Sequence, residues 1–243
     1  MVKFQPYNII IHGTTKRRRA GFPFEDDNGP SAKSYEERIR VTLNAIGNRS
    51  VGRVLFRSLC AAVPVYVVPY TGDTCNARTG QLTSDWKQGI WIQYSPENWT
   101  YDNCGRYPGY RPVETLFHEM VHASRFTNYG GFAGINLTPL DRMLDYEEFL
   151  AVMLTNVFRS EEGARKFNRD YVTGALVSQS DLELFLSSRI DYINAVDYFL
   201  KDQLVKLVVP LTTPFNPFRD IKKLKSNYAA SPLRGFIPEL LRR

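Results

Sequence analysis

The sequence predicts an α+β fold, mostly helical, with a small sheet beside one buried helix. Two observations carry this. Long stretches of the chain repeat their apolar residues at helical spacing, whereas only two short runs are rich in β-branched and aromatic residues. The 243 residues, 43% of them hydrophobic, suit one globular core. Residues 1–34 read as an irregular basic N-terminal segment and 35–243 as a single domain.

The elements follow in order. Residues 1–34 hold Lys16-Arg17-Arg18-Arg19 and a Gly/Pro/Asp-rich stretch that gives no periodic signal. Ser34, with Glu37 three positions on, predicts a helix over 35–47, broken at Gly47-Asn48. Ser50 caps a second helix to about Ala62, burying Val54, Leu55 and Leu59. Residues 63–70 and 89–94 read as strands, and Pro64 and Pro69 make the first an edge or end element. Residues 71–88 and 95–111 read as cleft-forming loops around the second strand. Pro112 opens a helix that ends near Asn128, before Tyr129-Gly130-Gly131. A further apolar helix covers 146–160. Helical periodicity also runs through 181–208 until Pro210, Pro214 and Pro217 end it.

The helix from Pro112 carries the chemistry. It contains His118-Glu119-Met120-Val121-His122, two of the three histidines in the chain with a glutamate between them. Residues i and i+4 on a helix lie about 40° apart, so both imidazoles can grip one ion. Glu119, about 100° from His118, can reach a water on that ion. This is the His-Glu-x-x-His zinc signature, and it predicts a zinc-dependent hydrolase acting on peptide bonds. A buried helix with two incidental histidines is the alternative, but an apolar helix carries two His and a Glu at a cost unless they have a use.

Catalytic zinc takes three protein ligands and keeps one position open. His12 lies over a hundred residues upstream, and the longer pattern with Gly and a third His fails at Arg125 and Asn128. A carboxylate on the following helix is therefore expected, from Asp141, Asp145, Glu147 or Glu148. Glu147 and Glu148 open an otherwise apolar helix, and only one of two neighbours faces inward. Glu148 is preferred, because Ala151 three positions on lets the helices approach. The metal set is then His118, His122 and Glu148 around one Zn²⁺, with Glu119 as the catalytic base. Tyr171, Tyr192, Tyr198, Arg189 and Arg219 are all candidates to stabilise the oxyanion, and the sequence does not choose. Asn156 or Asp145 would orient a liganding histidine.

Composition narrows the setting. The net charge of +6 collects at the chain ends and reads as a solvated basic surface, so nucleic acid is not an expected partner. No run of 18 apolar residues predicts a membrane span. The N-terminus lacks the order of a signal peptide, since the basic cluster follows the apolar Ile9-Ile10-Ile11. Three cysteines are too few for a disulfide framework. Cys60 reads as a core thiol, while Cys75 and Cys104 would pair only in an oxidising compartment.

The segment HEMVHA, followed about 25 residues later by YEEFLAVMLTN, resembles the gluzincin-type zinc metallopeptidases. With Ser50-Val51-Gly52-Arg53-Val54-Leu55 ahead of the strands, it is similar to NleD-like bacterial effector and toxin peptidases. The resemblance covers about residues 48–160. It implies a zincin-like fold and a secreted bacterial effector or toxin that cuts a protein in a host or competitor cell; with no signal-peptide pattern at the N-terminus, its export would use a route that reads no cleavable signal. It also implies a secretion chaperone or an immunity protein as partner. Two alternatives stand beside it. HEMVHA also resembles the helix of SprT-type DNA-associated zinc proteases, which would want a third histidine. A non-enzymatic basic binding module would use the helix structurally.

Overall fold

The structure, a computed structural model, describes residues 1–15, 24, 29–59, 61–72, 76–99, 111–171 and 175–230. All three cysteines and the basic cluster at 16–19 lie outside them, so neither the Cys75–Cys104 pairing nor the role of that cluster is addressed.

The fold is α+β with a small mixed sheet. Its strands are β1 (Val2–Phe4), β2 (Ile9–Ile11), β3 (Val65–Val68), β4 (Arg78–Gln81) and β5 (Ile90–Gln93), in the order β1-β2-β3-β5-β4. β2, β3 and β5 run parallel; β1 and β4 are antiparallel to their neighbours and form the edges. Residues 1–34 are therefore not irregular throughout, because Ile9–Ile11 lies beside β3.

β3 is central in the sheet, so the edge placement that its prolines allowed does not hold. Pro64 and Pro69 flank the strand, where a missing N–H breaks no ladder, and the Pro64 carbonyl still accepts the Ile90 N–H. All four β3 residues are buried, as expected of a parallel strand covered on both faces. The two-residue alternation sends Val65 and Val67 to the main core, and Tyr66 and Val68 to a smaller cluster with Phe24 and Leu82. β4, read as loop, has no alternating apolar pattern. Pairing with β5 is what makes Arg78–Gln81 a strand.

Helix α1 (Pro30–Gly47) begins four residues before Ser34, with Gly29 as its N-cap and Pro30 in its first turn. Helix α2 (Ser50–Ser58) is capped from a distance and not by Ser50. The Glu161 carboxylate accepts the backbone N–H groups of Ser50 and Val51, at 2.5 and 2.9 Å. That is a charged acceptor at a helix N-terminus, where the dipole favours it. Gly52 has a steric reason: a Cβ there would lie 1.9 Å from the Ile46 carbonyl oxygen, at the α1–α2 corner. Gly52→Ala is expected to destabilise the protein by about 1–3 kcal/mol through overpacking, read as a lower denaturation midpoint in urea.

Helix α3 (Pro112–Tyr129) carries the histidines and ends on Gly130, whose φ of 86° is left-handed. Every residue from Glu114 to Thr127 is buried. Such a helix has no solvent face, and it packs on α1, α2, the sheet and helix α4 (Tyr146–Glu161). Phe117 stacks on Phe158 of α4 with ring centroids 4.6 Å apart. Glu114, in the first turn of α3, is buried and bonded to Arg111 and Arg159, which ties the start of α3 to the end of α4.

The periodic stretch 181–208 breaks into three helices, α5 (Gln179–Ser187), α6 (Ile190–Phe199) and α7 (Gln203–Val208). Asp202 caps α7 through the Val205 N–H. A two-residue ladder, β6 (Phe167–Asn168) with β7 (Leu176–Val177), and helix α8 (Ile221–Ala230) were not anticipated. No helix among the described residues is long and apolar enough to cross a membrane.

Candidate metal centre

The site forms where α3 packs against the first turn of α4. The turn before α4 aims that first turn. Arg142 and Leu144 both hold positive φ, 54° and 66°, which costs non-glycine residues of order 1–3 kcal/mol each. Buried Met143 and the Leu140–Leu144 backbone bond hold the turn closed. Asp145 then caps α4, its carboxylate accepting the Glu148 N–H at 2.9 Å. Glu147 and Glu148 thus leave the helix start directly over α3.

His118 and His122 lie on one face of α3, rings edge to face with centroids 4.8 Å apart. Their Nε2 atoms are 3.1 Å apart. The Glu148 carboxylate completes the triangle, with Oε2 3.2 Å from His118 Nε2 and Oε1 3.4 Å from His122 Nε2. Donors on a four-coordinate ion with bonds of about 2.0–2.1 Å are separated by about 3.3 Å. Among the described residues, these three side chains are the group positioned to hold a metal ion.

The second glutamate is also at the site, contrary to the expectation that only one would face inward. Glu147 is buried, and its Oε1 lies 3.4 Å from His122 Nδ1, the nitrogen away from the donor triangle. The two carboxylates serve opposite nitrogens of one imidazole, so 100° of divergence on α4 brings both to His122.

Negative charge dominates here. Burial alone would lower the His122 imidazole, but Glu148 and Glu147 push it well above its ordinary value. Burial would likewise raise the Glu148 carboxyl, yet His122 and His118 hold it well below the usual carboxylate range. Each group thus favours its charged form because of the other, and a cation placed between them would compete with a proton for His122.

Glu119 points into the same cleft, nearly buried, with Thr79 Oγ1 of β4 donating to its Oε2 at 2.7 Å. The cleft measures about 630 Å³. One wall is β4 with Trp91; the other is Phe126, Phe132, Ile135 and Leu137. Leu82 N donates to Gly89 O, so alternation along the β4–β5 ladder turns the Thr79 and Gln81 N–H groups toward the open edge. Trp91 Nε1 donates to the Gln81 carbonyl at 2.8 Å.

Of the five oxyanion candidates, only Tyr171 lines the cleft. Tyr192 is buried with its hydroxyl on the Asp141 carbonyl, and Tyr198 packs edge-on against Tyr146. Arg189 pairs with Asp141 and Asp191, and Arg219 with Asp220. Asn156 does not orient a histidine: both ends of its amide bind the Asn168 backbone, at 2.7 and 2.8 Å. His12 is buried against Phe24 and Tyr66, not at the metal group. Thr79 and Gln81 went unread because a polar segment without alternation gives no strand signal. The chain matches no protein-family model, no curated protein and no solved structure, so the site is defined by its own residues.

Proposed function

We propose that the protein is a zinc-dependent endopeptidase, with zinc held by His118, His122 and Glu148 and with Glu119 as general base. The observation that carries this is the donor triangle of 3.1–3.4 Å beside a glutamate fixed on the same helix. Two imidazoles and a carboxylate form a catalytic zinc set of the His₂Glu type. The set also suits ferrous iron; the adjacent Glu119 and the open strand edge favour hydrolysis of a peptide. An extended chain can pair with the outward Thr79 and Gln81 amides, while the apolar wall takes its side chains.

Zinc bound there supplies Lewis acidity and activates water. The protein's own groups do the rest. Thr79 fixes the Glu119 carboxylate, and Glu119 takes a proton from the attacking water and returns it to the leaving amine. Tyr171 is the cleft residue suited to donate to the developing oxyanion. By the resemblance of residues 48–160, we further propose a gluzincin-type effector or toxin that acts on a protein of a target cell. The DNA-associated reading is less favoured. The third donor is glutamate, and Lys223 and Lys225 of the basic excess pair with Glu183 and Asp197, at 2.5 and 2.8 Å.

Metal removal tests the proposal. Chelator-stripped protein is expected to lose cleavage of a degenerate peptide mixture, read by mass spectrometry, and stoichiometric zinc to restore it. Undiminished cleavage after complete stripping would overturn it.

A further inference from the structure

We propose that Arg125 is a positioning residue for the metal centre, acting through Glu147 and locked by Asp202. This rests on the metal reading above and names what holds the carboxylate behind His122 in place.

Arg125 lies three residues after His122 on α3. Its Nε donates to Glu147 Oε2 at 3.1 Å, and its Nη1 pairs with the Asp202 carboxylate. The other Glu147 oxygen faces His122 Nδ1. Asp202 in turn caps α7. The chain His122–Glu147–Arg125–Asp202 therefore joins α3, α4 and the α6–α7 corner. All four side chains are buried. The Tyr129 and Phe199 rings lie 4.3 and 5.4 Å from the guanidinium carbon and help shield it.

Two features separate this from a staple for α7. First, Glu147 divides its two oxygens between the arginine and the imidazole. A carboxylate pinned on one oxygen presents the other at a fixed place, which sets the His122 tautomer and ring angle and leaves Nε2 as the donor. Second, the other histidine has no such support: among the described residues His118 Nδ1 is buried without a hydrogen-bond partner. The orientation of the pair depends on His122. Only a planar fork spans two buried carboxylates in this way, and lysine cannot.

The test uses the full-length chain. Zinc affinity is measured by competition with a chromogenic chelator, and ligand geometry by the visible spectrum of the cobalt(II)-loaded protein. Glu147→Gln and Arg125→Lys are each expected to lose about 10–100-fold in zinc affinity and to alter the cobalt spectrum. Because Arg125 acts through Glu147, the double variant should lose no more than the weaker single one. If Arg125→Lys does not fold, Asp202→Asn alone and in the Glu147→Gln background gives the same cycle. Wild-type affinity and spectrum in the folded variants, or fully additive losses, would overturn the role of Arg125 alone. A wild-type protein that binds neither zinc nor cobalt would overturn the metal centre and this role together.

Discussion

Glu119→Gln is expected to keep its zinc and to lose peptide cleavage by about 10²–10⁴-fold, the usual contribution of a positioned general base. The substitution is nearly isosteric. The amide oxygen it introduces can still accept from Thr79, whose hydroxyl lies 2.7 Å from Glu119 Oε2, so the fold and the edge strand stay in place. The metal donors are untouched, because Glu119 belongs to none of the three ligand positions. What is lost is a carboxylate able to take a proton from water and hand it on. Zinc content by elemental analysis and turnover of the peptide mixture are the two readings. Retained zinc with lost turnover fits the assignment; retained zinc with full turnover sinks it.

Glu148→Ala is expected to lose zinc, whereas Glu147→Ala should still bind it, more weakly. From the sequence the two glutamates were rivals for one task. In the structure only Glu148 faces both Nε2 atoms, at 3.2 and 3.4 Å, whereas Glu147 is committed to Nδ1 of His122 and to Arg125. Wild type should carry about one zinc per chain, as a single catalytic site does. After dialysis against a moderate chelator, Glu148→Ala should carry almost none, because two imidazoles alone bind too weakly. Equal retention in the two variants would refute the choice of third ligand. The pH response gives a second reading. His122 titrates above its ordinary value, so protons compete for it at higher pH than for a free imidazole. Zinc affinity should therefore be full above that raised value and fall as pH drops through it. In Glu147→Ala, which keeps the three metal donors, one cause of the elevation is gone, and the fall should move to lower pH.

How much was legible follows from the reach of each signal. Helices α3 and α4 were readable almost to the residue, since Pro112 and Gly130 act within one turn of their own positions and the apolar run of α4 is continuous. β3 and β5 were readable because buried strands concentrate β-branched and aromatic residues. β4 was not, for its strand state comes from β5 and not from its own side chains. The break of 181–208 into three helices was hidden because apolar periodicity can continue across a corner; the cap at Asp202 is the local mark of one break. Glu161 capping α2 was also unreadable, being a partner more than a hundred residues away.

The sequence by itself determined the two imidazoles, the glutamate between them and the helix that spaces them. The i, i+4 geometry of His118 and His122 is a property of one helix, and so is the place of Glu119 between them. Tertiary structure decided what lies across from that helix. It gave Glu148 the Nε2 side and Glu147 the Nδ1 side, set Thr79 on Glu119, and put Arg125 against Asp202 from 77 residues away. The physical reason is one of range. Helix periodicity and capping act over a few residues, whereas the packing of α3 on α4 and of β4 on β5 depends on burial summed over the whole core.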